Sequence, residues 1–246
     1  MSAIAAVAAD LLTAPKPVIC LDTCDILEVV QCLDWKRWEG KEKNVVRPVT
    51  CIEPVGRLLN TLTVDPNRAK VIITDLVHRE WNQNIAGIEQ KASDFLAKVD
   101  DIVGKPSQAA GLAGTVLPLY PSLAASTLFA DLVALSTALL NQAVRLDLEA
   151  SLIQRALDRV MNRQRPSHDG HIKDSINFEH YLEFARQLRA YGFADNVIFV
   201  SKNRKDYWSG VDTGRIHPAL EPEITDPAVR MRFFGKLDGA LGFLRI

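Results

Sequence analysis

Four acidic residues, Asp22, Glu80, Asp174 and Asp206, stand where apolar runs give way to helices or turns. Carboxylates gathered in one place repel each other by about 4 kcal/mol per pair at ~4 Å and an effective dielectric of 20. Such a group persists only around something positive. Hard oxygen donors without clustered cysteine or histidine favour Mg²⁺ or Mn²⁺. Asp22 ends the run Val18-Ile19-Cys20-Leu21, which follows Pro17 and reads as a strand buried on both faces. Ligands of open α/β sheets sit outside such strand ends, although Asp22 can equally serve as the N-cap of the next helix. Val197-Ile198-Phe199-Val200 repeats the pattern, and Ser201-Lys202-Asn203-Arg204-Lys205-Asp206-Tyr207 follows it. Asn203 and Asp206 are also ordinary turn residues.

The other two acids lie on helices. At about 100° per residue, Glu80 falls inside the apolar arc of Leu76, Val77, Trp81 and Ile88. A carboxylate there is a ligand or is neutralised by an internal cation, because an unpaired buried charge costs several kcal/mol or takes up a proton. Asp174 opens a helix to about Tyr191, and it points along the face of Phe178, Tyr181, Leu182, Ala185 and Leu188. Glu179 borders that face and could hold a metal-bound water. Helix-dipole capping is the simpler use of Asp174.

The positioning elements follow from the pattern. Ile26 to Leu33 is helical after the first strand, 34–47 is a surface connection, and Pro48 opens a further helix to about Asp65. Val71-Ile72-Ile73 is a second buried strand, after which Thr74 N-caps a helix to about Val103. Gly104 to Pro121 reads as a loop or hinge, and Ser122 to Arg163 as helical throughout. Arg155, Arg159 and Arg163 recur at helical spacing with Arg165 just beyond. That stripe could grip phosphates, but a solvated face is the expectation. His168 and His171 are expected at the surface. Met231 to Phe243 closes the sheet as a last helix or strand.

The chain has 246 residues, 48% hydrophobic and 24% charged, so it can bury a large core. Its formal net charge of -1 gives no global attraction to polyanions. Any nucleic acid must meet local basic residues or bound metal. The four cysteines show no zinc spacing, which points to reduced thiols in a cytoplasm. The apolar N-terminus lacks the basic region of a secretory signal. Ser122 to Leu140 has the length of a membrane span but carries Asp131 at its middle, so a core helix is expected and no membrane.

In this order and with these flanking strands, the four motifs resemble the PIN-domain nucleases, in their bacterial toxin-like branch. Asp22-Thr23 matches that family's first acidic position, and Glu80 in Thr74-Asp75-Leu76-Val77-His78-Arg79-Glu80-Trp81 matches the second. Asp174 in Lys173-Asp174-Ser175-Ile176 matches the third, and Ser201-Lys202-Asn203-Arg204-Lys205-Asp206-Tyr207 is similar to the closing motif. The resemblance implies a three-layer α/β/α fold around a mostly parallel sheet, as one PIN-like domain over 1–246. A stretch at about 104–165 lies beyond the minimal fold and is expected to be a helical insertion. It also implies a metal-dependent endoribonuclease with Asp22, Glu80, Asp174 and Asp206 as catalytic and metal-binding residues. Thr23, Ser201, Lys202, Asn203, Arg204 and Lys205 would meet the RNA. A toxin role, an antitoxin partner and a homodimer are implied in the same way.

Two other classes compete. A haloacid-dehalogenase-type phosphatase also uses an Asp after its first strand but needs a second two residues on, where this chain has Cys24. A PIN-like fold could also serve as a non-catalytic scaffold for RNA or protein.

Overall fold

A computed structural model describes residues 3–33, 49–115, 121–167, 169–210 and 214–246. The expected connection at 34–47, Pro48 and His168 lie outside the described residues. In chain order the elements are α1 (Ile4–Thr13), β1 (Val18–Leu21), α2 (Thr23–Gln31), α3 (Val49–Val64), β2 (Lys70–Thr74) and α4 (Asp75–Leu112). There follow α5 (Leu128–Gln142), β3 (Val144–Leu146), α6 (Ala150–Met161), α7 (Ile172–Ala190) and β4 (Val197–Val200). The chain closes with α8 (Arg204–Tyr207), α9 (Glu221–Thr225), β5 (Met231–Phe234) and α10 (Leu237–Leu244).

The five strands form one parallel sheet in the order β3-β2-β1-β4-β5. Every residue of β1 and β4 is buried. The strand period of two splits them between two cores. Ile19, Leu21, Val71, Ile73, Ile198 and Val200 pack with α2, α3, α4, α5 and α10. Val18, Cys20, Ile72, Val197 and Phe199 pack with α1, α6, α7 and α9. The result is the three-layer α/β/α arrangement that the sequence predicts. Leu21 pairs with Val200, so β1 and β4 end side by side. The strand order turns back between them: β2 and β3 continue to one side of β1, β4 and β5 to the other. Ligands of such sheets sit in the crevice at that reversal.

Three expectations are corrected. The stretch from Gly104 is no loop: α4 runs through Gly104 and Pro106 to Leu112. A Lys105–Asp101 ion pair of 2.7 Å spans the turn, and alanines and glutamine follow, so helix formers outweigh two breakers. The stretch 122–163 is not wholly helical, because β3 pairs in parallel with β2, Ile72 beside Val144 and Thr74 beside Leu146. Residues 104–165 therefore contribute a strand to the sheet itself as well as helices beside it. Thirdly, the arginine stripe is not a solvated face, since Arg159 is buried against α7. The C-terminal part supplies both a strand, β5, and a helix, α10. Among the described residues no helix is long and apolar enough to cross a membrane. Cys20, Cys24 and Cys32 are free thiols.

Candidate active site

Asp22 is the first residue past β1 and is only 3% exposed. Its main-chain N–H donates to the Val200 carbonyl at 3.2 Å, so the sheet itself fixes where the carboxylate starts. Oδ1 accepts from the Thr23 N–H at 2.8 Å, and Oδ2 from the Ser201 hydroxyl at 2.6 Å and the Cys24 thiol at 3.4 Å. Helix capping and site formation are therefore the same arrangement, not alternatives.

The Thr74 hydroxyl accepts from the Val77 N–H at 3.3 Å, the capping expected of it, and donates to Asn177 Oδ1 at 2.5 Å. One buried side chain thus starts α4 and ties it to α7, which sets Glu80 relative to Asp174. Glu80 Oε2 accepts from the Thr23 hydroxyl at 2.6 Å, and Oε1 lies 3.0 Å from the Lys173 ammonium. The internal cation is Lys173, which is itself half exposed.

Asn203 organises the closing motif. Its Nδ2 donates to Asp174 Oδ1 at 3.0 Å and to Asp206 Oδ2 at 2.9 Å, while its backbone N–H donates to the Ser201 hydroxyl at 3.1 Å. Three further bonds hold the backbone beneath the site. Tyr181 donates to the Leu21 carbonyl at 2.6 Å, Tyr207 to that of Asp174 at 2.8 Å, and the Trp208 indole to that of Ser201 at 3.0 Å.

Asp22, Glu80, Asp174, Asn203 and Thr23 line one open cavity of about 340 Å³, together with Cys24, Leu27, Gln31 and Asn84. Burial pushes the Asp174 carboxyl up to about 8, and the charges of Asp22, Asp206 and Glu80 add to the rise. The Asn203 amide partly offsets it. Burial also raises Asp22, against the lowering effect of hydrogen bonds from Ser201, Thr23 and Cys24, and the charge of Glu80 raises it further. Below them, burial lifts Asp25 to about 7 despite the nearby Lys202 ammonium. The cavity is thus a place where negative charge is under strain.

The remaining candidates lie around it. Ser201 and Asp206 are buried, the first under Asp22 and the second behind Asn203. Lys202 pairs with Glu28, Lys205 with Asp169, and the Arg204 guanidinium stacks 5.0 Å from the Trp208 ring centre. His171 is exposed, as expected.

Glu179 requires a correction. Its carboxylate receives the Arg159 Nε at 2.5 Å and the Arg155 Nε at 3.1 Å. It is the centre of a buried ion-pair group between α6 and α7 and lines no part of the acidic cavity. Helical angle alone places it near the buried face without saying which neighbour that face meets. The cavity residues that the sequence reading misses are Cys24, Leu27, Gln31 and Asn84. Asn84 is the most legible of them, one turn after Glu80 on the same side of α4.

The acidic set suits a hard divalent cation in kind: all-oxygen carboxylate donors, two of them driven towards protonation by burial and mutual repulsion. Among the described residues, no group of three His, Cys, Asp or Glu side chains is arranged to hold an ion as the side chains stand. The reason is visible in the partners, since Lys173, Asn203 and Ser201 each engage one carboxylate.

A family model described as a PIN domain matches residues 54–207, more than half of the chain. That span contains Glu80, Asp174, Asn203 and Asp206, while β1 and Asp22 precede it. No curated protein and no solved structure matches the chain.

Proposed function

The chain belongs to the PIN-domain family, a family of nuclease folds, and from that premise we propose that it is an endoribonuclease dependent on Mg²⁺ or Mn²⁺. The observation that carries this reading is the meeting of Asp22, Glu80 and Asp174, from three separate elements, in one open cavity at the reversal of strand order. Asp22, Glu80 and Asp174 would hold the ion, with Asp206 behind them acting through Asn203. When bound, such an ion lowers the pKa of a water and stabilises charge on a phosphodiester's oxygens.

The chain's own contributions are positional and electrostatic. Ser201 and the Thr23 N–H hold the Asp22 carboxylate in one orientation. Asn203 fixes Asp174 and Asp206 together. Asp174 retains a proton near neutral pH in the metal-free protein, which relieves the repulsion from Asp22. The proton is given up when a cation takes over that role. Lys173 at the mouth, with Lys205 and Arg204 on α8, would position strand phosphates without reading sequence. Lys202, held by Glu28, is less available for that task. A toxin role with an antitoxin partner rests on motif resemblance alone.

One observation favours a second reading, a non-catalytic RNA-binding scaffold: Lys173 already neutralises Glu80, and among the described residues no three side chains are set to enclose an ion. Calorimetric Mn²⁺ titration with RNA cleavage assays on the wild type, Asp22→Asn and Asp174→Asn separates the two. Ion binding and cleavage that are both lost in the variants, with RNA binding kept, support catalysis. RNA binding by the wild type without cleavage under either ion gives the scaffold.

A further inference from the structure

A second cleft, of about 600 Å³, is lined by Arg159, Arg163, Gln164, Arg165, His217 and Glu223. Its charges do not cancel. Arg159 donates to both oxygens of Glu223 and, through Nε, to Glu179, so the one acid lining the cleft is consumed by the one buried arginine. Among the described residues no carboxylate pairs with Arg163 or Arg165. Arg165 uses Nη1 on the carbonyls of Lys205 and Asp206, at 2.5 and 3.0 Å. The cleft therefore presents two uncompensated guanidinium groups, the donor geometry that suits a phosphate.

Two observations tie this cleft to a strand. Arg163 sits at the C-terminal closure of α6, where its N–H donates to the Val160 carbonyl at 3.1 Å and that of Gln164 to Arg159 at 2.8 Å. Its φ is 51°, in the left-handed region where such closures favour glycine. A side chain there is conformationally unfavourable, and what it supplies is a cation at the cleft. Secondly, Arg165 holds the carbonyl of Asp206, whose side chain reaches Asp174 through Asn203. The cleft and the acidic cavity thus share the α8 turn, on which Lys205 is exposed.

We propose that this cleft binds a backbone phosphate of the RNA strand away from the bond in the acidic cavity, with Arg163 as its main contact and Arg165 as the second. The inference rests on the reading that RNA is the substrate class, and it deepens that reading by naming where the strand is held.

The test is RNA binding by fluorescence anisotropy over a salt series, with the full chain in EDTA so that no cleavage occurs. Labelled single-stranded RNA of mixed sequence is the probe, with wild type, Arg163→Gly and Arg163→Lys. Glycine suits the backbone at 163, so Arg163→Gly should match or exceed the wild-type Tm. A simple structural role for the side chain would not give that result together with weaker binding. The expected result is about 5-fold weaker binding by Arg163→Gly and a log–log salt slope shallower by about 0.7, one single-strand phosphate contact. Arg163→Lys should recover most of the slope. Equal affinity and slope in Arg163→Gly, or no RNA binding by the wild type, overturns the proposal. So does inorganic phosphate raising the Tm of the wild type but not of Arg163→Gly while the RNA slope stays unchanged, because the cleft then serves a free anion. Cleavage that persists with an unaltered salt slope sinks only this inference. Binding that depends on Arg163 in a protein that cleaves nothing sinks only the nuclease reading.

Discussion

Replacing Asp174 by Asn should stabilise the metal-free protein while abolishing its ion binding. The Asp174 carboxyl moves from its ordinary 3.8 to about 8 on folding, through burial first and then the charges of Asp22, Asp206 and Glu80. At 1.36 kcal/mol per unit the shift corresponds to roughly 5 kcal/mol against folding. Asp22 shares the same protonation equilibrium and water reaches the mouth of the cavity, so about half of that, ~2–3 kcal/mol, is the expected effect. The amide oxygen of the substituted side chain can still accept the hydrogen bond from Asn203, so little is lost in exchange. For a chain of this size each kcal/mol moves Tm by about 2–4 °C, giving a rise of ~5–10 °C. The sign sets the pH window. Between the unfolded value of 3.8 and the folded value of about 8 the native state holds the extra proton, so wild-type stability falls as pH rises across that interval and levels off above it. Asp174→Asn lacks this fall. Thermal unfolding in EDTA at about pH 5 and about pH 8.5, repeated with Mn²⁺, measures it. The gap between variant and wild type should widen with pH in EDTA, and Mn²⁺ should raise Tm only in the wild type. A variant no more stable than the wild type at the higher pH, or a gap that does not change with pH, would refute the reasoning.

Ser201→Ala removes the 2.6 Å hydrogen bond to Asp22 Oδ2 and one acceptor for the Asn203 N–H. It should cost about 1–2 kcal/mol in urea unfolding and push Asp22 further up, so that cleavage or Mn²⁺ binding is half-maximal at a higher pH than in the wild type. Glu179→Gln leaves Arg159 buried with an uncharged partner and should destabilise by about 3 kcal/mol, with Mn²⁺ affinity unaltered in calorimetry. A loss of ion binding there would restore Glu179 to the site. Lys173→Met frees Glu80 from its ammonium. Because that lysine is half exposed, the gain in Mn²⁺ affinity should be modest, about 2–5-fold, and a decrease in affinity would show that Lys173 assists the site.

Much of this protein is written locally. The runs Val18–Leu21 and Val197–Val200 can only be strands buried on both faces, since each is apolar throughout and short. Thr74 announces the start of α4 by its chemistry, and the acids at strand and helix ends follow from the same local pattern. What escaped was short or depended on a partner. β3 is three residues at the sheet edge, and nothing in Val144-Arg145-Leu146 distinguishes it from the helices on either side until β2 is beside it. The continuation of α4 past Gly104 and Pro106 needed an ion pair and helix-forming neighbours to outweigh two residues that usually end helices.

The site divides along the same line. The sequence determined that Asp22, Glu80, Asp174 and Asp206 are out of place for surface residues, because periodicity and strand ends are properties of neighbours in the chain. It could not determine which charges face one another. Glu179 and Asp174 lie on one helix, yet one meets Arg159 and the other the acidic cavity, and only the packing of α6 against α7 separates them. Nor could it say that Ser201 reaches Asp22 across 179 residues of chain. Electrostatic and hydrogen-bond energies depend on distances through space, and parallel strand pairing, which sets β1 beside β4, sets those distances only when the chain is folded.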